Sequence, residues 1–297
     1  MFKTALDRPE NSGPNATWGW EQKQGAWGMA GQRLDLGAVV SDTFAVTQRN
    51  LKTFALAGVV LIGAPSLLSA AVRLISRVPT IPTLARGAAP SFPQFTLPVL
   101  LIGLVALVLG LVLQAGLFYA AAKDLEDGEQ PQFGDLISVG LKRCLPLLGL
   151  YILVALAVWI GGLLLIVPGI IVALRWCVAG PVLAVEGKGV FASMKRSAIL
   201  TKGRRWTLFL LGLIVFAVLL VIELGLLALV GGLAGAAAIA SFATGASPTT
   251  LILIAIVSPI ISIVFGILAG VFGGTLFQHL RSDKESYTSK AVAEVFA

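Results

Sequence analysis

The chain has 297 residues, of which 57% are hydrophobic and only 12% charged, with a formal net charge of +7 and a mean hydropathy of +0.92. Soluble domains carry roughly 25% charged residues, so a single aqueous core cannot hide this much apolar surface, and lipid must be part of the solvent. The basic excess then belongs with loops that face anionic lipid, and no nucleic-acid partner is expected.

Backbone groups in lipid must pair internally, which leaves helices or closed barrels. Barrel strands alternate apolar and polar residues, whereas the runs Val99 to Leu113 and Leu208 to Ile222 are continuous. The fold class expected is therefore all-α: a polytopic transmembrane helical bundle.

In chain order, residues 1–34 read as a disordered cytoplasmic tail, polar and rich in Gly, Trp and Gln, with no apolar stretch of signal-peptide type. Trp18, Trp20 and Trp27 either touch the membrane interface or sit in a solvated tail. Residues 35–280 read as the transmembrane domain, with spans at about 52–75, 97–122, 146–166, 169–187, 206–230 and 251–278. Pro65 should kink the first span, and a Pro-rich linker containing Pro79, Pro82, Pro90, Pro93 and Pro98 follows it. Asp124 to Glu129 read as a solvated acidic run. Leu145 to Val185 is apolar apart from Arg175 and long enough for two crossings, with Pro168 and Gly169 as the expected hairpin turn. Ser258-Pro259 should kink the sixth span, and residues 281–297 read as a cytoplasmic C-terminal tail.

Charge supports the even count. With the start inside, the inner segments hold Arg49, Lys52, Lys123, Lys142, Arg143, Lys188, Lys195, Arg196, Lys202, Arg204, Arg205, Arg281, Lys284 and Lys290, among others. The outer side receives only Arg73, Arg77 and Arg86. Reading Leu145 to Val185 as one span would move Lys188 to Arg205 outside and destroy this bias.

Three segments repeat a pattern of amphipathic helix, basic cluster and span: Leu36 to Asn50, Phe133 to Leu145 and Val190 to Arg205. In the third, Val190, Met194 and Ala198 form the apolar face. The pattern suggests three hairpins, each led by a cytoplasmic interfacial helix. Such a helix either lies in the headgroup plane or packs under the bundle as a connector. In the first case Arg49, Lys142, Arg143, Lys195, Arg196, Lys202, Arg204 and Arg205 are the candidate contacts to anionic lipid headgroups.

Two ionisable residues fall inside spans, Arg175 and Glu223, both placed by counting in the outer third of the bilayer. They either form an intramembrane ion pair, or Arg175 snorkels while Glu223 is protonated or sits in a wet cleft. Gly266, Gly270 and Gly274 allow close helix approach, with packing inside the chain favoured over a dimer interface. Cys144 and Cys177 lie in separate segments and make no disulfide framework. His279 reads as an interface residue, and no spacing suits a metal site, a phosphate loop or an acid–base pair. No cofactor is expected.

The run Leu165-Ile-Val-Pro-Gly-Ile-Ile-Val-Ala-Leu-Arg-Trp, then Ala179-Gly-Pro-Val-Leu-Ala-Val-Glu, then Ser193-Met-Lys-Arg-Ser and Leu200-Thr-Lys-Gly-Arg-Arg-Trp, resembles the bacterial glycerophosphoryl diester phosphodiesterase membrane-domain family. The stretch from Leu34 to Phe44 and the end from Leu280 resemble it too, so the likeness covers roughly residues 34–297. Arg175, Trp176, Glu186, Thr201, Gly203 and Arg204 match the family pattern without carrying an established role. The phosphodiesterase barrel to which this module is fused in other members has no counterpart here. The resemblance thus implies a bacterial inner-membrane module and no enzyme activity. The expectation is a non-enzymatic inner-membrane protein, a lipid- or envelope-related scaffold or lipid-handling module, with both termini cytoplasmic. The alternative is a small transporter or channel with a polar path near Arg175 and Glu223, and a membrane-embedded enzyme ranks last. A protein partner or self-association stays open.

Overall fold

The computed structural model describes residues 35–76, 97–234 and 248–296, and among these there is no strand. The expected tail 1–34 with its tryptophans, the Pro-rich linker with Arg77 and Arg86, and the loop around residue 240 lie outside the described residues. Ten helices follow in order: α1 (Leu36–Arg49), α2 (Leu51–Gly58), α3 (Ala64–Ser76), α4 (Leu97–Asp127), α5 (Phe133–Leu164), α6 (Ile166–Arg175), α7 (Ala179–Glu186), α8 (Val190–Leu200), α9 (Arg205–Ala234) and α10 (Pro248–Phe296). Among the described residues six stretches are long and apolar enough to cross a membrane: Leu51–Val72, Leu97–Asp127, Phe133–Leu164, Val167–Glu186, Arg205–Ile222 and Val257–Glu285. The fold is a helical membrane bundle.

The expected kink at Pro65 takes the form of a π-helical turn, Val59–Gly63, between α2 and α3. Ala64 donates its backbone N–H to the carbonyl of Val59, five residues back. A wide turn just before a proline absorbs the helix geometry that its ring and missing N–H disturb.

Two sequence expectations are corrected. The chain reverses at Leu165, not at Pro168 and Gly169. Leu165 alone is extended (φ −166°, ψ 146°), closing α5 with its N–H to Gly161 and opening α6 with its carbonyl to Gly169. Pro168 sits in the first turn of α6, where a missing N–H costs nothing. Gly169 instead permits close approach: a Cβ there would lie 2.9 Å from the backbone N of Gly162. The second repeat is not a separate interfacial helix, because α5 runs unbroken from Phe133 through Pro146 to Leu164. The fourth span, matched by the apolar stretch Val167–Glu186, is built of two helices, α6 and α7, joined at Trp176–Val178. Helix α10 continues to Phe296 and passes Pro259 without a break.

The packed core lies at one end. On α4 the residues from Leu111 to Ala122 are mostly buried, while Leu100, Leu101, Leu104 and Val105 are exposed. On α5, Leu136, Leu147 and Leu150 are buried, while Ile152, Leu156 and Leu163 are exposed. On α10, Val271, Phe277 and Leu280 are buried, while Ile260 and Val264 are exposed. The buried half is the one that ends in the charged residues, called here the charged end.

Glycine sets how closely the helices meet there. Gly116 of α4 abuts the carbonyl of Leu136, and Gly140 of α5 abuts the carbonyl of Val112, a reciprocal contact between positions one helical turn apart on each helix. The expected glycine row of α10 also packs within the chain: Gly266 faces Ile62, Gly270 faces Leu117 and Gly274 faces Phe118 and Ala121. By contrast α9 is barely covered, with Leu208 and Leu211 its buried apolar residues among those described.

Candidate functional site

At the charged end, α1, α4, α5, α7, α8 and α10 meet, and several arginines there are engaged within the protein. Arg49 donates from Nη2 to Asp124 Oδ2 at 2.6 Å, and Asn50 donates to the other oxygen at 3.2 Å. Asp124 is 3% exposed, so it does not belong to a solvated run; helix spacing places it on the same face as Leu113, Leu117 and Ala121, already in the core. Arg143 donates to the carbonyl of Gly187 at 3.2 Å, at the point where α7 ends. Gly187 has φ 67°, a left-handed conformation that favours glycine at the end of a helix.

Arg196 bridges two elements. Its Nε reaches Glu186 Oε1 at 3.1 Å and its Nη2 reaches Glu285 Oε1 at 3.0 Å. Glu186 also pairs with Lys188 at 2.5 Å. Arg281 pairs with Glu126 at 3.3 Å and Glu285 at 3.2 Å, and Arg204 pairs with Asp283 at 3.0 Å. These bonds hold the end of α10 against α4, α7 and α8. Planar guanidinium forks suit such multi-partner contacts better than ammonium groups do. Two more bonds tie α1 to α10: Thr43 to Thr275 through their hydroxyls at 2.8 Å, and His279 Nε2 to Asp42 Oδ2 at 2.8 Å. His279 is therefore a helix tie as well as an end-of-span residue. Just beyond α4, Glu129 is held below its usual carboxylate range by the hydrogen bond and charge of Lys123, 2.7 Å away.

Three lysines turn outward, whereas Lys123 and Lys188 pair with Glu129 and Glu186. Lys142, Lys195 and Lys202 are exposed and form no ion pair among the described residues, although the Lys202 carbonyl accepts from Lys284 at 3.2 Å. Large apolar side chains stand beside them. Leu141 and Leu145 flank Lys142, while Phe191 and Ile199 lie one helical turn on either side of Lys195, and all four are exposed. Trp206, 84% exposed, stacks edge-on against Phe209 at the first turn of α9. On α1, Val40 and Phe44 are exposed in the same way, followed by Leu51 and the exposed Lys52.

The eight expected headgroup contacts therefore divide. Arg49, Arg143, Arg196 and Arg204 are engaged within the protein, and Lys142, Lys195 and Lys202 face outward. Arg205 is half-buried, with its Nε lacking a partner in the structure. The face of α8 that packs inward carries Ser193, Ser197 and Leu200, with Val190 and Met194 against the core, so on this side the helix packs under the bundle as a connector.

Arg175 and Glu223 are not brought to one depth. The Arg175 carbonyl accepts from Ser197 at 3.0 Å and from Thr201 at 3.3 Å, which fixes Arg175 beside the start of α9. Position 223 lies on the same helix roughly 27 Å beyond Arg205, at 1.5 Å per residue. The side chain of Glu223 lies outside the described residues. Counting residues from the expected turn misplaced Arg175 because the fourth span breaks at Trp176–Val178.

A cavity of about 340 Å³ opens at the charged end, bordered by Tyr119, Lys123, Asp127, Val185, Glu186 and Arg281. A second, also about 340 Å³, lies between α2–α3 and α4 and is lined by Val60, Pro65, Leu68, Leu101, Val105 and Leu109, among others. Among the described residues no three His, Cys, Asp or Glu side chains gather as a metal site.

No curated protein and no solved structure matches the chain. Residues 137–289, just over half of it, match a family that takes in most of α5, all of α6 to α9 and most of α10, and with them Lys142, Arg143, Lys195, Arg196, Lys202 and Arg204. On that match the chain belongs to the family described as Domain of unknown function (DUF7847).

Proposed function

We propose that the protein is a non-enzymatic, multi-pass module of a bacterial inner membrane that binds anionic lipid headgroups at its charged end, as a scaffold or in lipid handling. The observation that carries this reading is a set of outward lysines, Lys142, Lys195 and Lys202, the first two of them beside exposed Leu, Ile and Phe side chains. Ammonium groups on flexible stems, beside side chains that enter the acyl boundary, suit an anionic bilayer surface. The outward tryptophan at the start of α9 suits the same level. Lys and Arg concentrate at this end, so we place it, with both termini, on the cytoplasmic side. The resemblance of residues 162–206 to phosphodiesterase membrane modules supports an inner-membrane location and brings no catalysis. The transport alternative expected a polar path near Arg175 and Glu223; the Arg175 carbonyl is bonded to Ser197 and Thr201 just before α9 begins, and position 223 lies roughly 27 Å further along that helix.

The test is native mass spectrometry of the purified full chain after mild detergent exchange, with and without added phosphatidylglycerol. The wild type should retain phosphatidylglycerol over phosphatidylcholine, and the K142Q/K195Q/K202Q variant should lose that preference. Equal retention of both lipids by the wild type, or an unchanged preference in the variant, would refute the reading.

A further inference from the structure

The packed core is concentrated in the half of the bundle next to the charged end, and in the opposite half of α3 and α4 Leu67, Leu68, Leu100, Leu101, Leu104 and Val105 are exposed. A groove runs there between α2–α3 and α4. Its walls are Val60, Ala64, Pro65 and Leu68 on one side and Leu101 and Val105 on the other, and it encloses about 340 Å³. From Val60 to Leu68 it extends about 12 Å at 1.5 Å per residue, close to the roughly 15 Å that one leaflet contributes to the hydrocarbon core. The π-helical turn Val59–Gly63 lies at the deep end of the groove.

The groove is apolar in a segment whose surroundings are hydrocarbon, so water is not its filler, and an empty space would forfeit the dispersion contacts of its lining. The nearby hydroxyls are already used: Ser66 bonds to the Ile62 carbonyl at 2.7 Å and Ser69 to the Ser66 carbonyl at 2.7 Å. A further helix is a poor fit. The closest helix contacts in this chain are made at Gly116, Gly140, Gly270 and Gly274, and small residues are what allow such approach in membranes. The groove walls are branched and bulky, with Ala64 the one small side chain, and leave a narrow slot suited to a flexible chain.

We propose that this groove seats a phospholipid acyl chain from the leaflet opposite the charged end. The inference deepens the lipid-binding reading above and rests on it only for the class of ligand, since no headgroup contact is involved.

The experiment uses the full chain in nanodiscs that contain either phosphatidylglycerol or phosphatidylethanolamine with a diazirine at mid-chain. Adducts are mapped by peptide mass spectrometry after illumination. Leu68, Leu101 and Val105 should be labelled several-fold more than Ile152 and Leu156, which are comparably exposed on α5 (58% and 52%) and outside the groove. A64F, or V105F should the first fold poorly, should lower labelling of Leu68 and Leu101 several-fold and leave Ile152 and Leu156 unchanged. Labelling of the groove no stronger than at Ile152 and Leu156, as follows if protein covers it, or no response to either filling variant, overturns the proposal. Groove labelling with both headgroups, alongside equal retention of phosphatidylglycerol and phosphatidylcholine in the native mass spectra, would sink the headgroup reading and leave the acyl site standing.

Discussion

The reciprocal glycine contact between α4 and α5 gives the sharpest stability prediction. In G116A the new methyl would lie 2.6 Å from the carbonyl oxygen of Leu136 and 3.1 Å from its carbon. In G140A it would strike the carbonyl of Val112 in the same way. Ordinary contact begins at 3.4 Å, and the obstacle is helix backbone, which cannot rotate aside. The helices must therefore part by about 0.8 Å along a close-packed seam. Overpacking of this kind costs about 1–3 kcal/mol. Gly149 lies on the same α5 helix with nothing within 4 Å of its Cβ position, so G149A should be neutral or gain up to about 1 kcal/mol from helix propensity. The double variant G116A/G140A should cost less than the sum, because one separation relieves both clashes. The assay is reversible unfolding in mixed detergent micelles followed by far-ultraviolet circular dichroism. If G140A falls within about 0.5 kcal/mol of G149A, the limit of additive error, the close-packing argument fails.

Other predictions follow from the charged end. R49A and D124A should couple by about 1–2 kcal/mol in a double-mutant cycle, the range for a hydrogen bond to a charged group moderated by the half-exposed arginine; additive effects would show that the pair contributes nothing. R196A should speed hydrogen exchange of the α10 backbone from Arg281 onward, because Glu186 and Glu285 lose their bridge; R196K should restore only part of it, and unchanged exchange would show that the bridge does not hold α10. G169A should destabilise the α5–α6 hairpin by about 1–3 kcal/mol, because its Cβ meets the Gly162 backbone at 2.9 Å, whereas P168A should be mild; the same unfolding assay compares them, and equal effects would contradict the reversal at Leu165.

Much of the fold was legible because lipid imposes a simple rule: every crossing must be a long apolar helix. Leu97 to Asp127 and Arg205 to Ile222 announce themselves by hydropathy, and the glycine row of α10 by its spacing. The alternation at Leu141, Lys142 and Leu145, and at Phe191, Lys195 and Ile199, was also in the sequence, though not which side each residue faces. Local geometry misled where two solutions share one composition. Pro168-Gly169 has turn chemistry, yet a proline also fits a first helical turn, and only the contact of Gly161 and Gly162 with Gly169 shows where the chain reverses.

What the sequence determined by itself is the class of solvent, the helical class and the number of crossings, since these follow from summed hydropathy and length. Only the tertiary structure decided which cations are satisfied inside. The partners of Arg49, Arg196 and Arg204 are Asp124, Glu285 and Asp283, all distant along the chain. A guanidinium is satisfied inside only when an acid or a carbonyl from another element meets it, and that meeting is a property of packing.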